Sequence, residues 1–131
     1  MIHHGVLDRY PNLTLVYHHL GGNIASMFGR VHVQLDANRW PQQDSVLDFD
    51  DFEQTLTDRI YVDTSGFFGY AAPLRAALEV FPSSQILFGT DTPYEPRSTG
   101  EARRFASTVS DVASKSEARR ILGENARSLL T

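Results

Sequence analysis

The stretch Gln85-Ile86-Leu87-Phe88-Gly89-Thr90-Asp91-Thr92-Pro93-Tyr94-Glu95 constrains the fold more than any other part of the chain. An apolar run with a small residue behind it stops abruptly at an acid, a proline and an aromatic residue. A short continuous apolar run bounded in this way reads as a buried parallel strand. Such a strand delivers a carboxylate, Asp91, to the open end of a sheet. Asp91 also has a plainer reading, in which it bonds to the amides of the turn that follows.

Two earlier stretches repeat the pattern. Leu13-Thr14-Leu15-Val16-Tyr17-His18-His19 is a strand candidate that runs into Leu20-Gly21-Gly22-Asn23, and Ile60-Tyr61-Val62-Asp63-Thr64 is a second that ends in an acid before Ser65-Gly66. Between and after them lie helical patterns. Ile24, Met27, Phe28, Val31 and Leu35 recur at helical spacing over residues 23–38, with Pro41 as the end and a polar loop between Trp40 and Val46. Asp50 and Glu53 have the spacing of a capping box, which predicts a short helix through about Thr57. Beyond Pro73, Leu74, Ala77, Leu78 and Phe81 mark a helix that stops at Pro82, and Ala102, Phe105, Val109 and Val112 mark another over residues 99–113. Ser116 is placed to cap a helix over residues 117–122 that Gly123 ends, followed by a final turn over residues 125–130.

Strands separated by helices pair in parallel through right-handed crossovers, so the architecture is α/β. Helices on both faces of an open sheet and helices outside a barrel fit this order equally well. No Gly-rich phosphate loop follows any strand, which disfavours an unrelated doubly wound domain. Each strand ends in polar residues: His18 and His19, then Asp63 and Thr64, then Thr90 and Asp91. In parallel α/β folds that edge is where ligands bind. Asp63 reads more readily as a turn-former than as a site residue. Because side chains alternate along a strand, at most one of the two adjacent histidines is expected in the site.

Composition excludes several classes. With 131 residues, 41% hydrophobic and 21% charged, the chain supports a single globular domain with a core. A net charge of −4 offers no basic surface for a nucleic-acid backbone, so no nucleic-acid partner is expected. No apolar run is long enough to span a membrane and the first residues lack a signal pattern, which predicts a cytoplasmic protein without a membrane partner. There is no cysteine, so any metal would use His, Asp or Glu.

Five segments together carry a resemblance. Gly5-Val6-Leu7-Asp8-Arg9-Tyr10-Pro11-Asn12-Leu13, His19-Leu20-Gly21-Gly22, Tyr61-Val62-Asp63-Thr64-Ser65-Gly66, Leu87-Phe88-Gly89-Thr90-Asp91-Thr92-Pro93-Tyr94 and Gly123-Glu124-Asn125-Ala126 stand in an order that resembles the C-terminal part of the amidohydrolase-related family. That family includes metal-dependent decarboxylases of aminocarboxymuconate semialdehyde and of hydroxylated benzoates, and related lactone hydrolases. The resemblance implies a (β/α)8 TIM-type barrel, of which residues 1–131 form one partial domain covering about the last three βα units. It also implies a divalent metal, zinc or manganese. His19 then falls on a catalytic acid/base, Asp91 on a metal-binding residue that can assist proton transfer, and Arg30, eleven residues past the histidine, on a group that reaches a substrate carboxylate. The implied reaction is hydrolysis or decarboxylation of a small carboxylate or aromatic acid.

One departure from the family pattern is decisive. None of the five histidines forms the His-x-His pair with which complete members begin, and His3 and His4 fall in what should be helix. One protein ligand does not hold a catalytic zinc, which takes three or more. The expectation is therefore a C-terminal fragment that is inactive alone, binds metal weakly, and meets either copies of itself or an N-terminal partner chain through its open sheet edges. The alternative is a non-catalytic α/β module that self-associates or pairs with a partner.

Overall fold

β1 (Leu15–Tyr17), β2 (Ile60–Asp63) and β3 (Ile86–Leu87) pair in parallel, in that order, in the computed structural model, which describes residues 2–36, 39, 47–95 and 98–131. Leu15 stands opposite Ile60 and Tyr17 opposite Val62, while Val62 and Asp63 stand opposite Ile86 and Leu87. Because side chains alternate, this register divides the sheet into two faces. Leu15, Tyr17, Ile60, Val62 and Ile86 lie on one; Val16, Tyr61, Asp63 and Leu87 lie on the other. On the first face Ile60, Val62 and Ile86 are fully buried in a cluster with Phe52, Leu56, Leu74, Phe81, Phe105, Val109 and Ile121. On the second, Val16 is 40% exposed.

The strands are shorter than expected, and side chains continue the sheet beyond them. After Tyr17 the chain leaves β1 through a tight turn, α2 (His18–Gly21), preceded in sequence by the single-turn α1 (Val6–Arg9). Both His19 (φ 59°) and Leu20 (φ 53°) in that turn are left-handed, so no regular strand or helix passes through them. Beyond Leu87, the Thr64 hydroxyl donates to the Gly89 carbonyl and accepts from the Gly89 N–H, each at 3.0 Å. A side chain thus substitutes for the backbone ladder and carries the chain on towards Asp91.

Among the helices, α3 (Ile24–Gln34) follows the predicted apolar spacing, and α4 (Phe49–Arg59) leads straight into β2. The cap of α4 is Asp48, not Asp50: Asp48 has extended backbone angles and its carboxylate accepts from the Asp51 N–H at 2.9 Å. α5 (Ala71–Leu78) begins before Pro73, which a first helical turn tolerates because its N–H groups have no intrahelical partner. α6 (Thr99–Val112) opens on a capping box of Ser98 and Glu101. The next helix, α7 (Lys115–Arg119), is capped by Ser114 with Glu117, not by Ser116.

Gly123 ends the helical run that begins with α7, as expected: at φ 176° and ψ −28° it leaves helical angles within the turn Arg120–Glu124, and α8 (Asn125–Leu130) begins after that kink. The buried Asn125 side chain donates to the carbonyls of Ser83 at 2.7 Å and Ile86 at 2.8 Å, which ties the start of α8 to β3. Residues Ile2–His4 form a 3-10 turn. The polar loop expected between Trp40 and Val46, with the helix end at Pro41, lies outside the described residues.

Candidate active site

The residues that end the strands converge. β1 stops at Tyr17 opposite Val62, so the next position, His18, meets Asp63 at the end of β2, and His18 Nδ1 lies 2.7 Å from Asp63 Oδ2. The other carboxylate oxygen, Oδ1, accepts from the His19 N–H at 3.1 Å, from the Ser65 N–H at 3.0 Å and from the Ser65 hydroxyl. One carboxylate therefore holds the turn after β1, the turn after β2 and one imidazole ring. Asp63 does form the turn expected of it, through Ser65, and it does more than that.

Burial pushes the Asp63 carboxyl upward, but the Ser65 hydroxyl and N–H, the His18 ring and the His19 N–H outweigh burial and hold it below the ordinary carboxylate value. Hydrogen bonds to the charged form decide its state, and Asp63 is an anion over the physiological range.

His19 is held by its backbone and by shape. A Cβ added at Gly66 would come within 2.5 Å of the His19 Cβ and 3.0 Å of its Cα, so the turn after β2 passes His19 at a distance that only glycine permits. Held there, the His19 ring places Nε2 3.8 Å from Asp91 Oδ2. The separation exceeds a hydrogen bond but leaves both groups facing the same small space. The His19 side chain is 54% exposed and that of Asp91 19%. Asp91 is itself left-handed (φ 64°), and among the described residues its carboxylate bonds to no turn amide.

Two of the three site residues expected from the sequence are thus brought together, His19 and Asp91. The third is not. Arg30 is exposed in α3, and no hydrogen bond or ion pair joins it to either of them. The alternation argument, which admitted one histidine, does not apply here because the strand ends before either. His18 and His19 both lie at the edge, with ring centroids 6.2 Å apart. The missed residues are His18 and Ser65. Their only sequence signal was adjacency to His19 and Asp63; the partnership of His18 with Asp63 depends on the strand register.

Among the described residues, no three His, Asp or Glu side chains come together in a group that could hold a metal ion. Nor is any helix among them long and apolar enough to cross a membrane.

The geometry matches known proteins in fold. The IDCase of Metarhizium anisopliae, in its apo form, superposes with a TM-score of 0.71 at 25% identity over 96% of this chain and 36% of its own. The 5-carboxyvanillate decarboxylase of Sphingomonas paucimobilis gives a TM-score of 0.75 at 23% identity over 98% of this chain and 37% of its own. A dihydroxybenzoic acid decarboxylase of Polaromonas, with bound manganese and the inhibitor 2-nitroresorcinol, gives 0.73 at 24% identity over 96% of this chain and 36% of its own. The chain therefore spans little more than a third of the length of these structures, and its mixed α/β fold with a parallel sheet matches the amidohydrolase TIM-barrel fold. The sequence profile described as Amidohydrolase matches residues 1–131, and the chain belongs to the amidohydrolase family.

Proposed function

We propose that this chain supplies the catalytic edge of an amidohydrolase-family hydrolase or decarboxylase, a carbon–carbon lyase in the latter case, acting on a small carboxylate or aromatic acid. In this reading its strands are the last three of a (β/α)8 barrel. The observation that carries the proposal is the approach of His19 Nε2 to Asp91 Oδ2, 3.8 Å, at the strand-end edge where α/β barrels place their chemistry. The decarboxylases of hydroxylated benzoates among the structures of like fold support an aromatic acid as the substrate class.

Each residue has a defined part. The His19 imidazole is a proton donor and acceptor, able to protonate the carbon that loses carboxylate or a leaving group. Asp91 contributes an anionic oxygen beside it. Arg30 is assigned to a substrate carboxylate, which its guanidinium suits by bidentate pairing.

A divalent metal, manganese in the Polaromonas structure, is the group the family fold implies. The residues described here do not fit it unaided: Asp91 offers a carboxylate, but no three donors converge. The metal site needs donors from a segment that carries the earlier strands, in the same polypeptide or in a partner, and the edges of β1 and β3 are where that segment pairs, its first strand beside β3.

Calorimetric titration of the chain with zinc and with manganese is expected to show no stoichiometric tight binding. Combination with a polypeptide that bears a His-x-His first strand is expected to create binding and release of carbon dioxide from hydroxybenzoates, or hydrolysis of lactones or amides. Whichever activity is found should fall by at least about 100-fold in His19→Gln, the scale of a lost general acid. Tight binding by the chain alone, or full activity in His19→Gln, overturns the proposal.

A further inference from the structure

His18 is a polar residue at the strand-end edge that the proposal above leaves without a task. Its Nδ1 lies 2.7 Å from Asp63, while its side chain is 77% exposed. The next step of the register after Tyr17 opposite Val62 brings it to Asp63, which lies on the face of the sheet shared by Val16 and Tyr61. In a closed barrel this face is the interior, because the other is packed under the helices. Asp63 is an acceptor in all four of its contacts, from His18, the His19 N–H, and the N–H and hydroxyl of Ser65. An acceptor-only carboxylate requires the hydrogen of a neutral His18 to sit on Nδ1. The Nε2 lone pair is then left for a ligand.

We infer that His18 is a second proton-accepting group of the site, presenting Nε2 to the phenolic hydroxyl hydrogen of a ligand, and that Asp63 is the positioning residue for both histidines. The inference rests on the strand-end edge being the ligand site. The step balances simply: the ligand O–H bond breaks, its proton joins His18 Nε2, the ligand becomes an oxyanion, and the resulting imidazolium keeps Nδ1–H on the Asp63 carboxylate. The same geometry would suit an imidazole that binds a metal. It is assigned to proton exchange because Asp91, the carboxylate offered to the metal, faces the His19 ring and not that of His18.

The titratable neighbours of His18 are Asp63 and, across the edge, His19, whose ring centroid is 6.2 Å away. His19 is oriented differently, since Asp63 holds its backbone and not its ring. Two adjacent imidazoles thus receive different instructions from one carboxylate: a fixed tautomer for His18 and a fixed left-handed backbone for His19.

The test is nitrogen NMR of the histidine-labelled chain, read at both ring nitrogens at a pH where the ring is neutral. Wild-type protein is expected to show His18 with a protonated Nδ1 and a pyridine-like Nε2, a pattern retained in Asp91→Asn and lost in Asp63→Asn. 4-Nitrophenol, a phenol acidic enough to share its hydroxyl hydrogen with an imidazole and still partly protonated near neutral pH, is expected to move the His18 Nε2 resonance towards its protonated position in wild type but not in Asp63→Asn. An Nε2-protonated tautomer in the wild-type protein overturns the inference without any variant having to fold. So does a 4-nitrophenol response at His19 with none at His18. Failure of the metal proposal is read separately, from the calorimetry, and does not alter the tautomer of His18.

Discussion

The two ends of this molecule treat similar sequence patterns differently. α6 and α3 both carry apolar residues at helical spacing. In α6, Phe105 and Val109 are 1% and 0% exposed, and Phe105 packs on Phe67 with ring centroids 5.6 Å apart. In α3 no residue is fully buried, and Met27 and Val33 are 43% and 39% exposed. Its contacts with α4 run through Phe28 and His32, which pack on Phe49. The lesson is that periodicity specifies a face to be covered, while burial requires that something be there to cover it. Both helices feed one buried cluster, but α6 sends fully buried residues into it, whereas Ile24, Phe28 and Val31 of α3 pack against it only half-buried.

The largest test of this contrast is a pair of truncations. Phe105→Ala is expected to destabilise the chain by about 3–5 kcal/mol, the usual range for emptying a buried aromatic position. Met27→Ala, on the uncovered face, is expected to change stability by less than about 0.5 kcal/mol. Denaturant melts of both decide it, and comparable losses would erase the distinction.

Next in size is Asn125, whose amide holds β3 to α8. Asn125→Ala strands the buried Ile86 carbonyl and leaves that of Ser83 its bond from the Ile86 N–H, and is expected to lower stability by about 1–3 kcal/mol. The same melts measure it.

The seam between β1 and β2 is the contact of the His18–Gly21 turn with Asp63, Ser65 and Gly66. Gly66→Ala drives a methyl into His19 and is expected to destabilise the chain by about 1–2 kcal/mol while displacing the His19 ring from Asp91. The His19 ring resonances report the displacement, and unchanged signals would show that the seam yields without cost to the site.

The smallest effect is pH-dependent. The carboxyl of Asp63 titrates lower when folded than its ordinary value of 3.8. Its contribution to stability is therefore present above 3.8 and is lost as pH falls from 3.8 through the lower folded value. Stability of the wild-type chain should decline across that window, and Asp63→Asn should remove this part of the decline. An identical acid limb in both proteins would sever Asp63 from the seam.

Much of this was legible in the residues. The apolar runs at 60–62 and 86–88 and the helical spacing of Phe105 and Val109 state strand and helix directly, because burial of one face is a local pattern. The segments at His19, Asp63 and Asp91 pointed to the amidohydrolase family through their order alone. Helix starts were read less well. Asp50 and Ser116 satisfy the same spacing rules as the true caps, Asp48 and Ser114, and only backbone angles choose between neighbours of like chemistry. Gly123 reads as a stop and is one, but the placement of the helix that resumes after it depends on Asn125, bonded to residues about forty positions earlier.

The sequence by itself determined the order of elements, the parallel pairing and the acids and imidazoles that end the strands. Only the tertiary structure decided which of them meet. Asp63 takes His18 and the His19 backbone, and Asp91 faces the His19 ring, because a parallel register and a left-handed turn set those distances. Each depends on contacts between residues far apart in the chain, which no local pattern encodes.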